Sequence, residues 1–111
     1  MTPNKVIEIV DRLKPNSYNE EDKLRWINEL DGMVQRLVIQ EDKIEQYAYP
    51  ADMDTELLVP APFDDVYSLY LQAKIDFYNR EYSNYNNSAT MFEIRYDEYK
   101  KDYIRHNRAK G

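Results

Sequence analysis

The chain reads as all-α, a small bundle of about four helices with a long acidic, proline-containing connection between helices 2 and 3. Three observations predict this. Apolar residues step by three and four in at least three segments. Caps and prolines punctuate those segments at helix starts and stops. A chain of 111 residues with 42% hydrophobic composition holds one modest core, and so one domain, 1–111.

The first helix is predicted over 3–14. Thr2 is an N-cap hydroxyl followed by Pro3 at the first helical position. Val6, Ile7, Ile9, Val10 and Leu13 form its stripe, and Pro15 stops it. The second, over 20–40, opens on Ser17 with Glu20 as a capping box, Asn19 being the alternative cap. Leu24, Ile27, Leu30, Val34 and Leu37 are its seam, widened by Trp26, Met33 and Val38. Gly32 in mid-helix costs about 1 kcal/mol against alanine and marks a close approach or a kink.

Residues 41–65 break the pattern, with eight acids against Lys43 and with Pro50, Pro60 and Pro62. Glu56-Leu57-Leu58-Val59-Pro60 suggests a brief extended piece lying across the helices. The third helix, 62–82, is apolar nearly all round, so it is the expected central element, with Ala73 and Phe77 deeply buried. Tyr82 to Ser88 reads as a corner, and a fourth helix follows over 87–106. Its stripe of Tyr85, Ala89, Phe92, Tyr96, Tyr99 and Tyr103 has the 3.5-residue repeat of a helix–helix seam. Residues 107–111 read as a flexible basic tail.

Composition also narrows function. Fifteen Lys and Arg against 21 Asp and Glu leave a net charge of −6, which opposes a general or sequence-specific nucleic-acid binder. Without cysteine there is no disulfide scaffold, thiolate zinc site or thiol catalysis. Two glycines exclude a Gly-rich phosphate loop. No segment approaches the roughly 18 apolar residues of a membrane span, and the alternation from Lys5 to Lys14 is not a signal peptide's. His106 is the lone histidine, in the basic C-terminal end, so no nucleophile has a visible base. Asp52-x-Asp54-x-Glu56 imitates a calcium loop, but Leu57 and Phe63 stand where the turn glycine and closing glutamate belong. Neither catalytic residue, cofactor site nor metal site is expected.

Two features point to association. Eleven tyrosines, eight of them between Tyr67 and Tyr103, suit either a helical core or a subunit interface. Charge is segregated: residues 1–65 hold 7 bases and 15 acids, residues 66–111 hold 8 and 6. The candidate interface therefore pairs Asp52, Asp54, Glu56, Asp64 and Asp65 with Lys100, Lys101 and Arg105 (Arg108 and Lys110 following), with Tyr85 and Tyr103 as the exposed apolar contacts. A head-to-tail contact of unlike faces closes into a ring when the rotation allows.

The stretch Asp54-Thr55-Glu56-Leu57-Leu58-Val59-Pro60-Ala61-Pro62-Phe63-Asp64-Asp65-Val66-Tyr67, continued by Tyr70-Leu71, Ala73 to Asp76, Tyr78-Asn79, Glu81-Tyr82 and Tyr85-Asn86-Asn87, resembles small proteins of phage and prophage structural-gene clusters in Gram-positive hosts. Met1 to Asn4, Lys23 to Trp26 and Leu30-Asp31-Gly32 extend the likeness over nearly the whole chain. Such proteins look like head–tail connectors, also called neck or adaptor proteins: helical subunits of a ring beneath the portal. The resemblance implies a non-enzymatic virion protein in the DNA-packaging and assembly machinery. Its partners would be other copies of itself and portal or neck proteins, and its place the virion after the host cytoplasm. Many such subunits are expected to stay monomeric until a portal template is present. The alternative is a small cytoplasmic helical adaptor or regulatory module that binds one partner protein.

Overall fold

Helix α1 spans Pro3–Leu13 and α2 spans Glu20–Met33; α3 is Asp65–Tyr78 and α4 is Tyr82–Arg108. The computed structural model describes residues 1–108, and the side chains of 1–107. Among these residues the chain is all-α, with no strand.

Thr2 caps α1 by accepting from the Lys5 N–H at 3.2 Å. The helix stops at Leu13 with Lys14 extended before Pro15. Asn19, not the Ser17–Glu20 box, caps α2: its Oδ1 accepts from the Asp22 N–H at 2.8 Å, and Glu20, Glu21 and Asp22 follow at the positive end of the dipole. The predicted continuation to residue 40 is present but wound differently. Val34–Ile39 form a π-helical segment, closed by Gln40 in the left-handed region at φ 64°. Gly32 is not a close approach, since a Cβ there would meet only Ile44 Cγ2 at 3.8 Å, and the helix changes its winding two residues on, at Val34.

The expected corner at Tyr82–Ser88 is instead the opening of α4. The chain turns at Asn79–Glu81, with Arg80 at φ 61°. The Glu81 N–H donates to the Asp76 carbonyl at 2.9 Å across that corner. Ser83, Asn84, Asn86 and Asn87 are weak helix formers, and tertiary packing overrides them. At the other end α3 begins at Asp65 rather than Pro62, after a turn over 60–64. Residues 107 and 108 continue α4; the remainder of the expected basic tail, 109–111, lies outside the described residues.

Helix α3 is the central element, packed against α1, α2 and α4. Successive contacts Phe63–Tyr99, Tyr70–Phe92 and Phe77–Tyr85 show α3 and α4 antiparallel. The pairs Trp26–Tyr78, Glu29–Lys74 and Asp31–Tyr67 do the same for α2 and α3. Val6, Val10, Ile27, Leu30, Val34, Val66, Tyr67, Leu71 and Ile75 are fully buried. Ala73 is buried as expected, but Phe77 is 47% exposed. It lies in the last turn of α3, where its ring packs against those of Tyr78 and Tyr85. The apolar run in the connection does lie across the helices: Leu57 and Val59 point inward while Leu58 points out.

Candidate functional site

The connection over 41–64 is held by three side chains, two on α2 and one on the π-helical segment that continues it. Asn28 accepts from the Tyr47 N–H at 2.8 Å and donates to its carbonyl at 3.1 Å. Seven residues on, Gln35 treats Glu45 in the same way, at 2.8 and 2.9 Å. Between them Asp31, 1% exposed, accepts from the Tyr47 and Tyr67 hydroxyls at 2.5 Å each and from the Leu58 N–H at 3.3 Å. The Tyr67 hydroxyl in turn accepts the Val59 N–H at 2.8 Å. Burial pushes the Asp31 carboxyl above the usual range, against the pull of its two tyrosine donors. Burial also raises the Tyr67 and Tyr47 hydroxyls, reinforced by the adjacent carboxylate.

The other buried charges are also matched internally. Asp76 lies between Lys14 Nζ at 2.6 Å and Ser88 Oγ at 3.1 Å, joining α1, α3 and α4. Lys23 meets Asp11 at 2.7 Å. This chemistry is structural: Asp31, Asp76 and Lys23 are each held by contacts that position an element, while the buried Tyr96 hydroxyl has no hydrogen-bond partner among the described residues.

One of several open grooves, of about 310 Å³, lies in the corner half of the α3–α4 hairpin. Tyr70, Phe77, Tyr78, Tyr85 and Phe92 line it, with Ala73 and Ala89 as its floor and Lys74 and Glu93 at its edge. Tyr78 stacks on the buried Trp26 of α2 at 5.8 Å, and Trp26 meets Tyr18 edge-on at 5.5 Å, so this wall of the groove rests on the core. Lys74 is neutralised by Glu29 at 3.0 Å, the same carboxylate that accepts from the Tyr70 hydroxyl at 2.8 Å. Glu93 has no ion-pair partner among the described residues. Such a set of rings can bury apolar side chains of a partner while its hydroxyls stay wet.

The charged residues of the sequence-predicted interface share one end of the molecule. Asp52 accepts from the Ala48 N–H at 2.7 Å, Asp54 from the Asn4 side chain at 2.8 Å, and Glu56 meets the Met1 amino group at 2.5 Å. Their carboxylates point to three different partners rather than to one centre. Asp65 takes both its oxygens to Arg95 Nε at 2.9 and 3.0 Å, and Asp64 stands at the start of α3 without a side-chain cap bond. Lys100 lies over the Tyr96 ring at 5.0 Å, Lys101 pairs with Asp97 at 2.8 Å, and Arg105 is exposed. The contacts Asp65–Arg95 and Phe63–Tyr99 set the acidic connection beside the second half of α4. Asp64 and Asp65 thus lie beside the second half of α4, whereas Asp52, Asp54 and Glu56 face Ala48, Asn4 and Met1. Tyr85 and Tyr103 are half-buried in ring contacts with Phe77 and Tyr99; Tyr82, Tyr78 and Tyr49 are the exposed tyrosines. What the sequence reasoning missed was the exposure of Phe77 and Tyr78, and the polar stripe Asn28, Asp31, Gln35. The stripe's spacing of three and four, on a face beside the apolar seam, was the available signal.

No helix among the described residues is long and apolar enough to cross a membrane. No family model, curated protein or solved structure matches the chain.

Proposed function

We propose that this chain is a non-enzymatic virion assembly protein, a head–tail connector subunit that forms or joins a ring below a phage portal. The observation that carries this is the aromatic groove, whose half-exposed Phe77 and Tyr78 offer an apolar surface of the kind that marks protein association. The internal pairing of Asp31, Asp76 and Lys23 is in keeping with a scaffold rather than a reaction centre. The sequence resemblance supplies the kind of assembly. Its partners would be copies of itself and portal or neck proteins, reached from the host cytoplasm and ending in the virion. Lys100, Lys101 and Arg105 remain candidates for contact, as do Asp52, Asp54, Glu56 and Asp64 beside their internal partners. A net charge of −6 suits a conduit wall past which phosphates slide.

The test is deletion of the gene in an inducible lysogen. The expected result is filled heads and free tails that do not join, and the chain detected by mass spectrometry in wild-type particles. Normal particles lacking the chain, together with its co-purification with a single host protein, would favour the adaptor alternative and overturn this function.

A further inference from the structure

The geometry points to a specific self-association: the last third of α4 of one copy, anchored by Ile104, docks in the aromatic groove of a second copy. The two surfaces lie at different ends of the molecule. The groove uses Tyr85, Ala89 and Phe92 from the first third of α4, beside the corner. Ile104 lies at the far end of the same helix, about 18 Å on at 1.5 Å per residue from Phe92. One copy therefore cannot fill its own groove with its own helix end.

The occupant is argued from charge and shape together. At the groove, Lys74 and Glu29 cancel, which leaves Glu93 as the uncompensated charge of the lining. At the helix end, Lys101 is paired with Asp97, and Asp102 approaches His106. Lys100 and Arg105 have no carboxylate partner among the described residues, so against the single carboxylate of Asp102 this end keeps a net positive charge. Between them Ile104 is 49% exposed, an aliphatic side chain without a core role. A cationic helix with an apolar anchor thus faces an anionic-edged aromatic groove, the helix-in-groove mode of recognition. The charges steer and set register, and the buried Ile104 supplies the affinity. A contact between unlike surfaces is heterologous, so repeated copies close a ring or extend a filament. This deepens the assembly function proposed above and rests on it for its biological setting.

The test uses sedimentation of the full chain over rising concentration, with far-ultraviolet circular dichroism as the folding control. Wild type is expected to gain mass with concentration. Ile104→Glu and Phe77→Glu should each lose at least about tenfold in association. An equimolar mixture of the two should form a one-to-one dimer and nothing larger, because one retains the groove and the other the helix end. If Phe77→Glu does not fold, Glu93→Lys replaces it; this exposed change should weaken association about two- to fivefold, with recovery on adding Arg105→Glu to the partner copy. A wild-type chain monomeric to about 1 mM, or a mixture that stays monomeric, overturns the contact. So does loss of assembly in Met91→Glu/Ile94→Glu but not in Ile104→Glu. Presence in virions combined with a negative mixing result sinks the contact alone. Absence from virions with a positive mixing result sinks the phage setting and keeps the contact.

Discussion

Asp31 places a carboxyl group in the core with no cation beside it, and three neutral donors hold it there. Removing the carboxylate strands the Tyr47 and Tyr67 hydroxyls and the Leu58 N–H, so Asp31→Ala is expected to cost about 2–4 kcal/mol in urea unfolding. Tyr67→Phe removes one donor to Asp31 and one acceptor for Val59, at about 1–3 kcal/mol. The pH dependence has a defined sign. The folded Asp31 pKa lies above its unfolded value of 3.8, so its stabilising contribution is complete below that value and is lost as pH rises through the folded pKa. The stability difference between wild type and Asp31→Asn should therefore shift against wild type as pH rises above the unfolded value of 3.8. A difference that grows in favour of wild type over the same range would contradict the assignment.

At the scale of elements, α3 shows how one helix can be central and yet present a surface. Its first three turns are enclosed by α1, α2 and α4; its last turn carries Phe77 and Tyr78 out to the groove. Leu71→Ala is accordingly expected to cost about 2–5 kcal/mol, the full cavity value. Phe77→Ala should cost only about 1 kcal/mol, since the ring is half in water and makes two ring contacts. Chemical denaturation of the two variants side by side checks the contrast; equal losses would place Phe77 in the core. Helix α2 gives a prediction of opposite sign. Gly32 has no positive φ and an added Cβ meets only Ile44 at van der Waals distance. Gly32→Ala should thus gain about 1 kcal/mol, seen as a raised melting temperature.

For the whole molecule, the connection over 41–64 decides whether the bundle has one closed core or an open flank. It has no regular structure, yet Met53, Leu57 and Val59 are buried in the common core and four of its amides are bonded to side chains of α2, its π-helical continuation and α3. Amide exchange at Glu45, Tyr47, Leu58 and Val59 should therefore be slow, approaching the protection of core helices. Asn28→Ala/Gln35→Ala should release the protection of Glu45 and Tyr47 while leaving α4 protected. Uniformly fast exchange over 41–64 in the wild type would show the connection to be undocked.

Local chemistry made much of this protein legible. The Thr2 cap, the Pro15 stop, the α4 seam and the α2 seam as far as Val34 follow from periodicity and backbone restriction, which act within a few residues. Leu37, read as part of that seam, is 63% exposed on the π-helical segment, whose different winding breaks the three-and-four register. The corner was misplaced because the Asn- and Ser-rich stretch after Tyr82 has turn-like propensity. Packing of Tyr85 on Phe77 and the Ser88 bond to Asp76 outweigh that propensity, and both are contacts across helices. Phe77 was read as core for a related reason: an apolar helix shows that many sides are covered, not where its neighbours end. The segregation of charge was evident in composition, but its meaning was not. The antiparallel α3–α4 hairpin folds Asp65 onto Arg95 and sets the end of the acidic connection beside the second half of α4. Periodicity along a chain decides which residues share a face. Only the tertiary structure decides which faces meet, because contact energy depends on distances between residues far apart in sequence.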